Sequence, residues 1–95
     1  MTVSYQALLV LRTFLLHPDP QCGAEIMRGL GLGAGTVYPL LKRLRRAGWL
    51  EHAGTLPAPN EPPAHFYRLT AAGRAMFLSQ LARLTIPGDL WRTPS

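Results

Sequence analysis

The sequence predicts a mainly α fold of the α+β class, in which three helices, a two-stranded hairpin and a fourth helix follow one another. Apolar residues recur at helical spacing in four segments. Two aromatic-rich segments with β propensity stand between the third and the fourth of these helices. Runs rich in Gly or Pro separate the segments. At a length of 95 residues, the chain is expected to form a single domain over residues 1–95.

The composition is that of a basic, globular protein. Hydrophobic residues make up 47% of the chain and charged residues 16%, which excludes a disordered protein. The formal charge of +5 favours a polyanionic partner, with nucleic acid ahead of a membrane. The single cysteine, Cys22, excludes a disulfide framework. Since the sequence shows neither a signal peptide nor an apolar run of the roughly 20 residues that span a membrane, the expected location is the cytoplasm.

The first helix is expected over residues 4–17, with Ser4 or Thr2 as its N-cap. Its apolar residues, which include Leu8 and Leu11, form a wide stripe. So apolar a helix is covered on both faces or meets a second chain with one of them. A His-Pro-Asp-Pro sequence ends the helix, because residues before proline avoid the helical region.

A short second helix is expected over residues 22–30, followed by a tight turn with alternating glycines up to residue 35. A phosphate-binding loop is the alternative interpretation of these glycines. Such a loop requires either a preceding strand or a Gly-Lys-Ser/Thr sequence, and neither is found here. The turn is therefore interpreted as structural.

The third helix, expected over residues 34–48, has two contrasting faces. One face is apolar, and the other has four positive charges and no negative charge. The apolar face contains Val37, Leu41 and Leu44, and the polar face contains Tyr38, Lys42, Arg43, Arg45 and Arg46. Gly48 stands where a C-cap is expected. Pro39 removes one backbone donor, so it is expected in or near the first turns.

Residues 49–53 and 65–70 are expected to be the two strands of a hairpin, since both contain aromatic residues that suit a pleated surface. The segment between them holds four prolines. It predicts a stiff, extended loop rather than a tight two-residue turn. The last helix is expected over residues 70–86, with Thr70 as its N-cap.

Three helices followed by a two-stranded hairpin form the winged helix-turn-helix arrangement. In this arrangement the second and third helices are the helix-turn-helix, and the hairpin is the wing. The third helix enters the major groove of DNA. The charge distribution agrees with this assignment, because the third helix alone has a dedicated cationic face.

Several short motifs resemble the PadR family of winged-helix transcriptional regulators, in the short form without a large effector domain. They are G-T-V-Y-P-L-L-K-R-L at 35–44, Gly48, Y-R-L-T at 67–70 and Gly73, and the resemblance covers roughly residues 5–81. It implies a dimeric DNA-binding repressor whose N-terminal and C-terminal helices build the dimer. It also implies that a Thr, a Tyr and a Lys of the recognition helix contact DNA. In this sequence these residues are Thr36, Tyr38 and Lys42.

Two departures from the family pattern affect the charge of the DNA-binding surface. Arg45 and Arg46 follow Leu44, where the family often has Glu, and they strengthen the cationic face. The wing usually has basic residues before its Tyr-x-Leu-Thr, but residues 60–65 read Asn-Glu-Pro-Pro-Ala-His. The wing of this chain is therefore nearly neutral.

Six residues are predicted to contact DNA: Thr36, Tyr38, Lys42, Arg43, Arg45 and Arg46. For Thr36 the alternative is a role in capping the helix. Arg43 and Arg46 lie toward the side of the helix, where either phosphates or the first helix are within reach. For the four charges together, the alternative is a solvated helix face.

The first and last helices are expected to form a homodimer. Both have more apolar surface than a domain of this size covers by itself. The predicted dimer contacts are Tyr5, Leu8, Leu9, Phe77, Leu78, Leu81 and Leu84. The expected DNA target is a palindromic operator in double-stranded DNA.

Neither a metal, a cofactor nor catalysis is predicted. The spacing of His17, Cys22, His52 and His65 fits no zinc pattern, although the last two could pair across the hairpin. No nucleophile stands in a motif with a base. A small-molecule effector, with Trp49 or Trp91 lining a dimer cavity, stays open.

Two further functions remain as alternatives to a repressor. One is an architectural or recombination accessory DNA-binding protein of a mobile element, which uses the same fold. The other is a winged-helix module that binds protein, which the neutral wing favours and the positive third helix opposes.

Overall fold

Four helices and a three-stranded antiparallel sheet make up residues 3–84, the part of the chain that the structure, a computed structural model, describes. In chain order the elements are α1 (Tyr5–Leu16), β1 (Gln21–Cys22), α2 (Gly23–Leu30), α3 (Ala34–Arg46), β2 (Leu50–Ala58), β3 (Glu61–Leu69) and α4 (Ala71–Leu84). The predicted winged helix-turn-helix is confirmed. Thr2, Trp91 and the expected end of the last helix at 85–86 lie outside the described residues.

Side-chain caps start two of the helices as the sequence predicts. Ser4 Oγ accepts a hydrogen bond from the Ala7 amide at 3.1 Å, at the start of α1. Thr70 Oγ1 accepts one from the Gly73 amide at 2.9 Å, at the start of α4. Each cap satisfies a backbone donor that has no partner within its helix.

The end of α3 is fixed by a glycine directly after its C-cap, Ala47. Gly48 has a φ of 81°, a left-handed conformation that glycine adopts without strain. The Trp49 amide donates to the Leu44 carbonyl and the Gly48 amide to the Arg45 carbonyl, both at 3.0 Å. This pair of bonds is a Schellman motif, which closes the helix and directs the chain into β2.

The sheet has one strand more than the sequence predicts. Its order is β1-β3-β2, so the expected two-stranded wing is extended by the short strand β1. In β1, Gln21 pairs with Tyr67 and Cys22 with Phe66. A strand of two residues has no alternating pattern that sequence inspection could detect, because only its pairing with β3 defines it.

The hairpin also differs from its prediction. Both strands run further toward the turn than expected, and Ala58 pairs with Glu61. The strands are therefore joined by a tight two-residue turn, whereas the four prolines had predicted an extended loop. Asn60 makes the turn with a φ of 64°. Proline is tolerated here because the strands have an unpaired side, since β1 reaches only two residues of β3.

The core lies where α1 meets the other three helices and the base of the wing. Buried side chains from every helix and from β2 form one cluster. Its members are Ala7, Leu8, Val10, Leu11, Phe14, Ile26, Val37, Leu40, Leu41, Leu44, Leu50 and Phe77. No helix within residues 3–84 has both the length and the apolar character to cross a membrane.

The start of α4 is held against the end of α3 by backbone contacts. The Thr70 amide donates to the Trp49 carbonyl at 3.0 Å, and Thr70 Oγ1 donates to the Gly48 carbonyl at 2.6 Å. A β-carbon at Gly73 would lie 2.8 Å from the Trp49 carbonyl carbon. Glycine at position 73 therefore allows the close approach that joins α4 to the base of the wing.

Leu41→Ala is expected to destabilise the protein by about 2–5 kcal/mol, because it leaves a cavity beneath α3. Leu41 is only 2% exposed. Lys42→Ala, on the opposite face of the same helix, is the matched control and should change the free energy of unfolding by less than about 0.5 kcal/mol. Urea unfolding measures both changes, and equal effects would contradict the assignment of faces.

Candidate nucleic-acid interface

The packing of α3 turns its polar face outward. Val37, Leu41 and Leu44 are buried in the core. On the other side of the helix, Tyr38 is 51% exposed. The four cationic side chains of that face, Lys42, Arg43, Arg45 and Arg46, are also exposed. Five of the six predicted DNA contacts are thus exposed on α3, on the surface called here the α3 outer face. Arg43 lies at the edge of this surface toward α1, where it lines a small cavity with Ser4 and Ala7.

The positive charges of the α3 outer face are uncompensated. Among the side chains that the structure describes, no carboxylate lies within salt-bridge distance of Lys42, Arg43, Arg45 or Arg46. The ion pair found within residues 3–84 is at the base of the wing, where Arg68 Nε lies 2.6 Å from Glu51 Oε1. Four unpaired charges on a helix of 13 residues make this face a strong attractor for polyanions.

Tyr38 stands on a platform that α2 provides. A β-carbon at Gly23, the first residue of α2, would lie 2.6 Å from Tyr38 Cε1 and 3.2 Å from Tyr38 Oη. The ring therefore rests directly on the backbone of Gly23, with the rest of its surface open. Sequence inspection did not predict the contact of Gly23 with the tyrosine.

Thr36 lies half-buried in the first turn of α3 and is not its N-cap. Gly33 occupies the N-cap position, and its carbonyl accepts hydrogen bonds from the Thr36 and Val37 amides, both at 3.0 Å. Since glycine has no side chain to cap the helix, the amides that precede Thr36 point away from the helix without an intrahelical partner. Such a helix start attracts anions.

Pro39 is accommodated inside α3, which runs unbroken from Ala34 to Arg46. It lies in the second turn, where its ring nitrogen cannot donate to the carbonyl of Gly35. Both Pro39 and Gly35 are exposed. The missing hydrogen bond therefore falls on the outer surface and costs less than it would in the core.

A cleft separates the recognition helix from the wing. Its volume is about 510 Å³, and Gly23, Tyr38, Pro62, His65 and Tyr67 are among the residues that line it. Cys22 of β1 also lines this cleft, directly before α2 begins. Tyr38 of the α3 outer face and β3 of the wing are thus neighbouring walls of one groove.

The residues predicted to form a dimer divide into two groups. Tyr5 is 73% exposed, Leu78 46% and Leu81 41%, and Leu9 is half-buried. Leu8 and Phe77, by contrast, are buried in the core of the protomer at 8% and 3%. Because α4 packs on α1, Leu8 and Phe77 are covered within the protomer. They therefore have little surface left to contact a second protomer. Leu84 is the last residue of α4.

The exposed cationic recognition helix, the preceding helix and the β-wing define a winged helix-turn-helix protein of the DNA-binding class. Residues 18–79, well over half of the chain, match the model of the transcriptional regulator PadR-like family. The chain belongs to this family, whose members are transcription regulators rather than enzymes. No curated protein sequence matches the chain significantly.

Solved structures of regulators have similar folds. A PadR-like transcription factor from Bacteroides fragilis is 28% identical with a TM-score of 0.66, over 82% of this chain and 80% of that one. AbfR of Staphylococcus epidermidis is 25% identical with a TM-score of 0.72, over 96% of this chain and 60% of that one. Bacillus subtilis PadR in complex with operator DNA, at 18% identity, shows the likeness of fold alone, with a TM-score of 0.73 over 96% and 56% of the two chains.

Gly23→Ala is expected to weaken DNA binding about tenfold, because the new methyl group displaces the Tyr38 ring from the α3 outer face. A ring that is 51% exposed can rotate away, so the free energy of unfolding should change little. Gly29→Ala, where a β-carbon meets nothing within 4 Å, is the matched control. Fluorescence anisotropy with labelled DNA measures the effect, and equal affinities of the two variants would contradict the role of the platform.

Proposed function

We propose that the protein is a homodimeric, sequence-specific transcription repressor that inserts α3 into the major groove of a palindromic operator. The observation that carries this proposal is the α3 outer face, with four exposed cationic side chains that no described carboxylate neutralises. A helix of 13 residues is about 20 Å long, which is enough to cross the major groove. Occlusion of a promoter by the bound dimer is the proposed mechanism of repression.

The proposed contacts are divided along α3. Thr36 and Tyr38 lie near the N-terminal end, the part of a recognition helix that contacts base edges. Lys42 and Arg45 follow on the same stripe one and two turns later, within reach of bases or phosphates. Arg46 and Arg43 lie on one side of this stripe, with Arg43 nearer α1, and are proposed to contact phosphates there. The uncapped amides at the start of the helix add a further phosphate site.

The described residues of the wing add little positive charge. Arg68 is engaged by Glu51, so the wing offers no uncompensated basic side chain among those described. The strength of binding therefore depends mainly on α3. The wing is proposed to contribute the second wall of the groove rather than a strong attraction for phosphate.

The exposed leucines and Tyr5 support a dimer through α1 and α4. Tyr5, Leu78 and Leu81 are large apolar side chains exposed by 41% or more, and in water such surface favours association. A two-fold axis at this contact would present both recognition helices to one side of the dimer. Their expected separation is one turn of DNA, about 34–36 Å.

DNA binding is expected to be strongly dependent on salt. If the dimer neutralises about six to eight phosphates, log K falls against log salt concentration with a slope of about −5 to −7. Arg45→Ala removes two of these charges per dimer and should make the slope less steep by about 2. Arg74→Ala, an exposed arginine on α4, removes the same charge away from α3 and serves as the control. A slope near zero for the parent protein would overturn the proposal.

Leu81→Glu is expected to convert the dimer into monomers, because the interface would bury a charge without a partner. Sedimentation equilibrium at micromolar concentration measures the change. Ser79→Glu introduces the same charge nearby, at an exposed position outside the proposed apolar contact, and should leave the dimer intact.

The symmetry of the bound DNA provides a second test of the same dimer. Selection from a random DNA pool should enrich one palindrome with the parent protein. A salt-sensitive protein that enriches no sequence would instead support the architectural or recombination accessory function. A parent protein that sediments as a monomer and binds a palindrome without cooperativity would contradict the dimer.

A further inference from the structure

Two histidines and a threonine converge on one face of the wing. Thr55 Oγ1 lies 3.1 Å from His52 Nε2 and 3.2 Å from His65 Nδ1. The two imidazole nitrogens are 3.4 Å apart. Three polar atoms thus form a nearly equilateral triangle, called here the histidine triangle. All three side chains are exposed, so the triangle is open to solvent.

A β-bulge in β2 creates the histidine triangle. His52 pairs with Tyr67, whereas Thr55, three residues later in β2, pairs with His65, which is only two residues earlier in β3. Without the extra residue, side chains three positions apart in a strand would point to opposite faces. Gly54 lies in the bulge with a φ of 135°, a conformation that residues with a β-carbon rarely adopt. The bulge thereby directs Thr55 to the side of the histidines.

Aromatic contacts fix the orientation of the rings. The His52 ring meets the Tyr67 ring edge-on, with centroids 5.9 Å apart. The two imidazoles are tilted by 54°, with centroids 5.5 Å apart. Because the centroids are 2.1 Å further apart than the two nitrogens (5.5 minus 3.4 Å), the rings point their nitrogen edges toward each other instead of stacking.

The spacing of these nitrogens is that of two ligands on one metal ion. In a tetrahedral zinc site each nitrogen lies about 2.0–2.1 Å from the ion, which places two nitrogens about 3.3–3.4 Å apart. The 3.4 Å between His52 Nε2 and His65 Nδ1 matches this value without rearrangement. We propose that the histidine triangle is a binding site for a divalent transition-metal ion, with Zn²⁺ as the ion that fits its geometry.

The donor set decides which class of ion binds. Neutral imidazole is a ligand for Zn²⁺, Ni²⁺ and Cu²⁺, whereas Mg²⁺ and Ca²⁺ require oxygen ligands. Within residues 3–84 no group of three His, Cys, Asp or Glu side chains converges on one point. The protein therefore supplies two nitrogens, the Thr55 hydroxyl lies beside them, and solvent or another molecule takes the remaining positions. This arrangement leaves the ion with exchangeable ligands.

The site stands beside the proposed DNA-binding groove. His65 and Tyr38 line the same cleft of about 510 Å³. A bound ion would add two positive charges to a wing that has no uncompensated basic side chain among those described. It would also offer open coordination positions to phosphate oxygens. This last step alone rests on the proposed function: if the protein binds DNA in this groove, the bound ion should strengthen the binding.

Calorimetric titration of the DNA-free protein with zinc chloride tests the site itself. The parent protein should bind one Zn²⁺ per protomer, and His52→Asn and His65→Asn should each weaken this binding by about tenfold or more. His17→Asn replaces the remaining histidine of the described chain, which is exposed after α1, and should leave the affinity unchanged. Magnesium chloride should give no heat of binding. Thermal unfolding of the zinc-free variants verifies that these exposed substitutions leave the fold intact.

Two results would overturn the metal site. One is a parent protein that binds no zinc, and the other is equal weakening by His17→Asn and His65→Asn. Histidine side-chain NMR adds an independent readout, because zinc should shift the ring resonances of His52 and His65 and leave those of His17 in place.

The link to DNA is measured separately, by anisotropy with and without zinc. Zinc should raise the DNA affinity of the parent protein several-fold and have no such effect on His65→Asn. If the parent binds zinc and its DNA affinity does not change, the effect on DNA is refuted and the metal site stands. If the parent fails to bind DNA under any condition, the proposed function fails, and the calorimetric result is unaffected.

Discussion

The burial of one face of α3 is the constraint on which the rest of the molecule depends. Val37, Leu41 and Leu44 are each no more than 2% exposed, so the rotation of α3 about its own axis is fixed by the core. Successive residues of a helix are turned by about 100°, which directs Tyr38, Lys42 and Arg45 away from the core and toward solvent. The hydrophobic effect thus orients the cationic side chains, although they contribute little to stability themselves.

The end of α3 transmits this orientation to the wing. The Schellman bonds around Gly48 determine where the helix stops, and β2 starts two residues after this glycine. Thr70 and Gly73 then bring α4 back to the same point, through contacts with Gly48 and Trp49. The end of α3, the start of β2 and the start of α4 therefore meet at the base of the wing. Hydrogen bonds to backbone groups hold them together, and these bonds require the close approach of α4 to Trp49.

Sequence patterns predicted the four helices, the N-caps of α1 and α4 and the direction of the α3 faces, because these depend on residues that are close in sequence. Ser4 and Thr70 cap helices that begin immediately after them, and Leu41 and Lys42 differ in burial because of helical geometry alone. These properties follow from local rules of spacing and capping. The same rules indicated the cationic surface of the candidate site.

Contacts between residues that are far apart in sequence were not predictable in this way. Strand β1 exists through its pairing with β3, 44 to 46 positions further along the chain (66 minus 22 and 67 minus 21). The contact of Gly23 with Tyr38 depends on the angle between α2 and α3. The burial of Leu8 and Phe77 results from the packing of α4 on α1, so an apolar stripe alone did not show which side would stay exposed.

The distribution of charge between α3 and the wing indicates that the two walls of the groove contribute differently to the proposed DNA binding. Long-range attraction to DNA increases with uncompensated charge, and among the described side chains this charge lies on α3. The wing holds an ion pair at its base and the histidine triangle further along. Its contribution at the groove therefore depends on geometry and on what it binds, whereas that of α3 depends on its fixed positive charge.

Strand β1 connects these two walls physically. It pairs with Phe66 and Tyr67 of the wing and leads without a linker into α2, whose first residue, Gly23, supports the Tyr38 ring. Two backbone pairs therefore link β3 of the wing to the segment that supports Tyr38. His65 immediately precedes the paired residues, so the histidine triangle lies directly beside the strand pairing that leads into α2. A strand of two residues, invisible to sequence patterns, thus joins the wing to the surface proposed to contact DNA.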